Sequence, residues 1–143
     1  MFYQCRYFKI EELVDPITFR NLGSRCWILF RPEALIALDD LREYFGSPII
    51  VNNWESGGVL EYRGFRPKDC TIGAIYSQHR LGNAFDCNVT FVSTNEARNE
   101  ILRNKDHDLF KRITAIEKGV GWLHFDLRNI PDEERIFLIS PEG

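Results

Sequence analysis

The sequence predicts an α+β fold in which a small antiparallel sheet is flanked by helices. Two segments combine helical periodicity with capping residues, and five shorter segments alternate or are apolar in the manner of strands. Their order along the chain is not a regular βαβ repeat, which favours α+β over α/β. The 143 residues fit one domain of common size, and no linker or repeat divides them, so we expect a single domain over residues 1–143.

The first predicted helix is RPEALIALDDLREYFG, residues 31–46. Pro32 suits the first helical position and Gly46 suits the stop. The apolar residues recur at helical spacing and should face the core: Leu35, Leu38, Leu41 and Phe45.

A strand, SPIIVNNW, is predicted after this helix, followed by a loop from Glu55 to about Gly73 that is rich in Gly, Arg and Pro. The second predicted helix is STNEARNEILRNKDHDLFKRI, residues 93–113, which begins with a capping-box pattern at Ser93 and Glu96. His107 should lie on its solvated face. The remaining predicted strands are AFDCNVTF, AIEKG, GWLHFDLRN and RIFLI.

Composition excludes several classes of function. A net charge of −3 and a pI near 5.6 disfavour nucleic-acid binding, although a local basic cluster of Arg63, Arg66 and Lys68 can hold one small anion. No apolar run is long enough to span a bilayer or direct export, so we expect synthesis in the cytoplasm. The four cysteines form no CxxC pair and are interpreted as reduced, mostly buried thiols.

The segment YSQHRLGNAFDCNVTF places His79 and Asp86 seven positions apart. The two side chains can share a metal ion only if the chain folds back between them, and Gly82 permits such a turn. After the turn, Phe85, Cys87, Val89 and Phe91 should face the core. Asp86 should then lie on the open face of the strand, between Ala84 and Asn88.

The segment GWLHFDLR has the same design. Leu123, Phe125 and Leu127 share one face, and Trp122, His124 and Asp126 share the other. If the two strands lie in one sheet, His79, Asp86 and His124 converge, and three protein ligands leave a fourth position open, as in catalytic zinc sites. The alternative is that His79 and Asp86 cap a turn and that Asp126 pairs with Arg128 or Arg135.

The segment SQHRLGNAFD fits the pattern S-x-H-x-x-G-x-A-x-D at each fixed position, and HFD fits a downstream H-x-D element. In these residues the chain resembles the zinc D-alanyl-D-alanine peptidases, which include bacterial carboxypeptidases and dipeptidases and phage endolysins, and which share their fold with the hedgehog signalling domain. The resemblance covers roughly residues 51–128. It implies zinc as cofactor, with His79, Asp86 and His124 as its ligands.

The same resemblance implies further roles. An arginine upstream of the motif should grip a carbonyl or carboxylate of the substrate, and Arg63 and Arg66 are both candidates. Ser77 should lie beside the metal and position the substrate or His79, and Asp126 should orient a ligand imidazole. Trp122, on the face of His124, is expected to form a wall of the cleft.

The chain departs from the family at the general base. Many catalytic members carry an acid three residues before the last histidine, where this chain has Gly121. The nearest upstream acid is Glu117, and a hairpin through residues 118–121 would return it to the metal. The hedgehog fold also has a glutamate slightly further upstream of its last ligand, which favours Glu117.

Three hypotheses follow from these patterns. The first is a zinc peptidase that cleaves peptidoglycan stem peptides, with water as nucleophile and a glutamate base, acting as a monomer and, if phage-encoded, reaching the cell wall by release or on the virion. The second is a binding module of the same fold that keeps the metal and has lost the base. A metal-free structural protein is the third alternative.

Overall fold

The protein forms an α+β structure built on a five-stranded sheet, and the computed structural model describes residues 2–131 and 134–141. The helices are α1 (Pro16–Leu22), α2 (Pro32–Phe45) and α3 (Thr94–Arg103). The strands are β1 (Ile49–Ile50), β2 (Ala84–Val89), β3 (Ala115–Glu117), β4 (Leu123–Asp126) and β5 (Phe137–Ile139). Short 3₁₀ segments cover Ile10–Glu12, Gly23–Leu29 and Trp54–Ser56.

The sheet is mixed, with strand order β1-β2-β4-β3-β5. The β1-β2, β2-β4 and β4-β3 pairs are antiparallel as predicted, whereas β5 is parallel to β3. The prediction of a purely antiparallel sheet is therefore wrong at its last strand. The chain reverses direction between β4 and β5, so β5 is antiparallel to β4; because β3 lies between them and is itself antiparallel to β4, β5 is parallel to β3.

Helix α2 begins and ends where the sequence predicts a cap, and helix α3 begins where the sequence predicts one. In α2, Pro32 is the first residue and Gly46 takes the left-handed C-cap conformation at φ 64°. In α3, the Ser93 hydroxyl accepts a hydrogen bond from the backbone of Glu96, whose carboxylate accepts from the backbone of Ser93. Both helices contribute apolar residues to a core that covers one face of the sheet.

Two predicted elements are shorter in the structure, and one predicted residue position differs as a result. The strand predicted over residues 47–54 is limited to Ile49–Ile50, because Asn52 leaves the sheet and bonds the backbone of Glu12, Val14 and Arg63. The second helix ends at Arg103, because the Asn104 side chain caps the Glu100 carbonyl. His107 therefore lies in a turn rather than on a helix, and it is exposed.

Phe91 was expected in the core and is 95% exposed. Strand β2 ends at Val89, and a turn closed by the Val92 N–H and the Val89 carbonyl then places Phe91 at φ 69°, which breaks the alternation. The other residues predicted for this face are buried: Phe85, Cys87 and Val89.

The four cysteines are free, and Cys26, Cys70 and Cys87 are buried. The longest helix, α2, has 14 residues. Within the described part of the chain, no helix has both the length and the apolar character that crossing a membrane requires.

Candidate metal centre

Strand register brings three predicted site residues into one row across the open face of the sheet. Asp86 on β2 lies opposite His124 on β4, and Glu117 on β3 lies opposite the same histidine from the other side. Directly opposed residues of antiparallel strands share a face and have Cβ atoms about 5 Å apart. The apolar residues that alternate with these site residues lie on the opposite face of the sheet and pack into the core. The core therefore supports the row.

His79 reaches the row from a turn that precedes β2. Hydrogen bonds from the Arg80 N–H to Ser77 O and from the Gly82 N–H to His79 O close this turn. The Ser77 hydroxyl accepts a hydrogen bond from the backbone N–H of His79 at 3.1 Å. Of the two roles expected for Ser77, this bond corresponds to the positioning of His79. Gly82 has φ 66°, and a Cβ at this position would lie 1.9 Å from the Leu29 carbonyl oxygen.

Each imidazole is oriented by a hydrogen bond on the side away from the site. His79 Nδ1 lies 2.8 Å from the Gly64 carbonyl oxygen, so it is the donor and Nε2 faces Asp86 with its lone pair. His124 Nε2 lies 2.8 Å from Asp126 Oδ2, which leaves Nδ1 facing Asp86. A second partner that fixes the tautomer in this way accompanies most histidines that bind metals.

The three facing atoms are spaced as ligands of one ion. His79 Nε2 lies 3.3 Å and His124 Nδ1 lies 2.8 Å from Asp86 Oδ1. The ligand atoms of the three residues all lie within 4.8 Å of one another, and each residue is buried. Tetrahedral zinc with bonds of about 2.1 Å requires ligand atoms about 3.4 Å apart. The convergence predicted from the two motifs is present, and the group can hold a metal ion.

Without a metal, hydrogen bonding sets the protonation of this cluster. Burial raises the pKa of Asp86, but the hydrogen bond from His124 and the nearby His79 imidazole outweigh it and hold that pKa well below its usual range. Burial lowers the pKa of His124, but hydrogen bonds to Asp126 and Asp86 raise it to about 9. Burial dominates at His79 and lowers its pKa. The metal-free site therefore carries its proton on His124.

Asp126 has two roles that the sequence presented as alternatives. Its side chain is fully buried and accepts from His124, and the same carboxylate accepts from Arg128 Nε at 2.9 Å and pairs with Arg128 Nη2. Pairing with Arg128 therefore accompanies the orientation of the imidazole. The contribution of Arg128 was visible in the sequence only as one of two possible partners.

The side chains of Arg63 and Arg66 contact different partners. Arg66 Nη2 is 3.2 Å from Asp86 Oδ2, and its Nε donates to the Tyr62 carbonyl at 2.8 Å. Arg63 Nη1 donates instead to Asn88 Oδ1 at 2.9 Å, two positions further along β2. Only Arg66 of the two lines the cavity that contains the row of site residues.

This cavity has a volume of about 490 Å³ and brings together several predicted residues that do not ligate. Besides the three ligand candidates, its lining includes the following residues: Arg66, Ser77, Glu117 and Trp122. Burial raises the pKa of Glu117 above its usual value. Trp122 is 37% exposed and forms part of the rim.

The loop that connects β3 to β4 is fixed by residues that the sequence analysis did not identify. Arg98 on α3 donates from Nη2 to the carbonyls of Val120 and Trp122, at 3.1 and 3.3 Å. The Thr94 hydroxyl donates to the Gly121 carbonyl at 3.1 Å. The Gly64 carbonyl behind His79 was missed as well, since a backbone acceptor leaves no signal in a sequence.

No protein-family model matches the chain, and comparisons with curated proteins and with solved structures give no match either. The function is therefore inferred from the motif residues and from the geometry that they adopt.

Proposed function

We propose that the protein is a zinc-dependent peptidase that hydrolyses peptide bonds in peptidoglycan stem peptides, and that it has the fold of the D-alanyl-D-alanine peptidases and the hedgehog domain. One observation carries the proposal. Two oriented imidazoles and a carboxylate converge in a cavity that also contains a glutamate with a raised pKa and an arginine. Convergent polar groups with perturbed pKa values in a cavity are typical of catalytic sites.

Zinc is the metal that this donor set favours. Two nitrogen ligands and one carboxylate oxygen match the composition of catalytic zinc sites, which leave one position open. Hard cations such as calcium and magnesium favour sites made of oxygen ligands, which two histidines do not provide. When bound, zinc supplies Lewis-acid polarisation of the scissile carbonyl and lowers the pKa of water toward neutrality.

The protein side chains then have separate tasks. Glu117 accepts a proton from the attacking water and delivers it to the leaving amine, for which a carboxylate with a raised pKa is suited. The Arg66 guanidinium holds a carbonyl or terminal carboxylate of the substrate, using N–H groups that do not contact Asp86. Trp122 bounds the cleft, and Asp126 keeps the His124 ring in position.

Replacing a ligand tests the proposal directly. His79→Ala should abolish stoichiometric zinc, measured by elemental analysis, together with the release of peptides from purified peptidoglycan. His107→Ala is the matched control, because this histidine is exposed and distant in sequence from both motifs, and it should retain metal and activity. Hydrolysis that survives in His79→Ala, or that survives a chelator in the unmodified protein, would contradict the mechanism.

The same measurements separate the alternatives. Stoichiometric zinc without hydrolysis identifies a binding module that has lost its base, which the glycine at position 121 would explain. Absence of zinc at neutral pH identifies a metal-free protein.

A further inference from the structure

A second cavity adjoins the one that contains the metal centre. It has a volume of about 550 Å³, and both cavities are lined by Arg66, Ile72, Asp86 and Trp122. These four residues border both cavities, so the two cavities adjoin at β2 and are together called the groove. A substrate peptide longer than the first cavity would extend into the second.

The second cavity is mainly apolar and contains one cation that the proposed mechanism does not use. Its lining includes Val59, Leu60 and Tyr62, and Val59 is 87% exposed. Arg63 lines the same cavity. Within residues 2–131 and 134–141, Arg66 forms an ion pair with Asp86, whereas Arg63 forms none and bonds only the neutral amide of Asn88 through its side chain. Glu61 also lines the cavity without pairing with Arg63.

The backbone of Arg63 is held firmly on both sides. Its N–H donates to Asn52 Oδ1 at 2.9 Å, and its carbonyl accepts from the Asp86 N–H at 2.8 Å. These bonds do not involve the side chain, so they persist when the side chain is replaced. The bond to Asn88 holds the Arg63 guanidinium in place. Its other N–H groups are therefore preorganised to donate hydrogen bonds to an anion.

The position of this donor along the groove follows from the strand. Asn88 and Asp86 lie on the same face of β2, two residues apart, which corresponds to about 6.8 Å. An extended peptide covers the same distance in about two residues. A group on the substrate that contacts Arg63 therefore lies about two residues from the bond at the metal centre.

We infer that Arg63 is a specificity residue that binds a side-chain carboxylate of the peptide about two residues from the scissile bond, with the aliphatic part of that side chain on the apolar wall. This inference rests on the proposed function, which supplies the peptide. It assigns the two arginines different tasks, Arg66 at the reacting end and Arg63 at the flanking residue. The substrate class is then a stem peptide whose third residue is a diamino acid that carries an additional carboxylate on its side chain.

The test uses two synthetic stem pentapeptides that differ in one group. The diamino acid at the third position carries a side-chain carboxylate in one peptide and the carboxamide in the other. Binding to the zinc-loaded protein is measured by calorimetry and cleavage by chromatography. The carboxylate peptide should bind about tenfold more tightly, the effect of one charge-assisted hydrogen-bonded pair at a half-buried site.

Variants assign the preference to the residue. Arg63→Gln should reduce the ratio of the two affinities to about one, and Arg63→Lys should restore part of it. Arg103→Gln is the matched control, because this arginine lies on α3 in an exposed pair with Glu100 and should leave the ratio unchanged. Equal affinities for the two peptides, or no binding of either, would overturn the inference. Absence of cleavage with an intact affinity ratio would instead count against the proposed peptidase.

Discussion

At the scale of single residues, Glu117 decides between an enzyme and a binding module. It lies opposite His124 in the sheet and lines the same cavity, and burial raises its pKa. Glu117→Gln keeps the size of the side chain and removes its capacity to accept a proton. We expect kcat on peptidoglycan peptides to fall by about 100- to 10,000-fold while zinc stays bound.

The control for this variant is Glu43→Gln, because Glu43 is exposed and, among the residues that the structure describes, forms an ion pair only with Arg6. Elemental analysis and cleavage should be unchanged in that protein. If Glu117→Gln retained full kcat, another group would have to serve as the base.

His124 gives the metal-free protein a characteristic pH dependence. Its pKa is raised from 6.5 to about 9 in the folded state, by bonds to Asp126 and Asp86 that outweigh burial. The stabilisation is complete below pH 6.5 and is lost as the pH rises toward 9. His79 does not offset this loss, since its lowered pKa contributes stability that is already complete above pH 6.5.

We therefore expect the free energy of unfolding of the chelator-treated protein to decrease between pH 6.5 and pH 9, measured by urea titration. His124→Gln, which cannot be protonated in this range, should show a flatter profile over the same interval. An unchanged slope in this variant would mean that His124 is not the group that holds the proton.

At the scale of elements, the brace between α3 and the β3-β4 loop positions one rim of the cleft. Arg98 donates from Nη2 to two carbonyls of that loop and from Nη1 to Asn95 Oδ1, and a lysine, which has one side-chain nitrogen, cannot hold both sets of partners. We expect Arg98→Lys to cost about 1 to 3 kcal/mol and to lower Tm by several degrees in thermal unfolding followed by circular dichroism. Arg103→Lys, in an exposed pair on the same helix, should change Tm by less than about 2 °C. Similar losses of Tm in the two variants would contradict the role of the brace.

The elements that the sequence predicted well are those whose signals are local. Apolar and polar residues alternate along strands β2 and β4. The ends of α2 and the start of α3 are marked by capping residues at or next to the helix termini. The shortening of β1 and the direction of β5 depend on partners distant in the chain, such as the Glu12 carbonyl that takes the Asn52 N–H. The predicted burial of Phe91 is wrong because periodicity does not reveal where a strand stops.

At the scale of the whole molecule, a metal ion would connect the turn that carries His79 to two strands that are already paired in the sheet. Removing it should lower the stability of the entire fold. With free zinc about 100-fold above its dissociation constant, the loss is about 2.7 kcal/mol. Tm should then fall by about 5 to 10 °C on addition of a chelator, measured by calorimetry.

His79→Ala should be insensitive to the chelator, because it lacks a ligand. His107→Ala should respond as the unmodified protein does. A Tm that is unaffected by chelator in the unmodified protein would argue against a structurally coupled metal.

The ligand set could be predicted from sequence because its three members lie on two short motifs whose strands are neighbours in the sheet. The groups that support those ligands could not be predicted in the same way. The Gly64 carbonyl and the two carbonyls held by Arg98 carry no residue-specific signal, and their positions depend on how the loops fold back.

The N-terminal third contributes no side chain to the candidate metal ligands, but its backbone packs against the two glycines that position His79. A Cβ on Gly64 would lie 2.2 Å from the Leu13 carbonyl oxygen, and one on Gly82 would lie 1.9 Å from that of Leu29. His79 depends on both glycines. The Gly64 carbonyl accepts a hydrogen bond from its ring, and the Gly82 N–H closes its turn by donating to the His79 carbonyl. The backbone of these early segments therefore leaves no room for a side chain at position 64 or 82, so any larger residue there would displace the loop or turn on which the His79 imidazole depends.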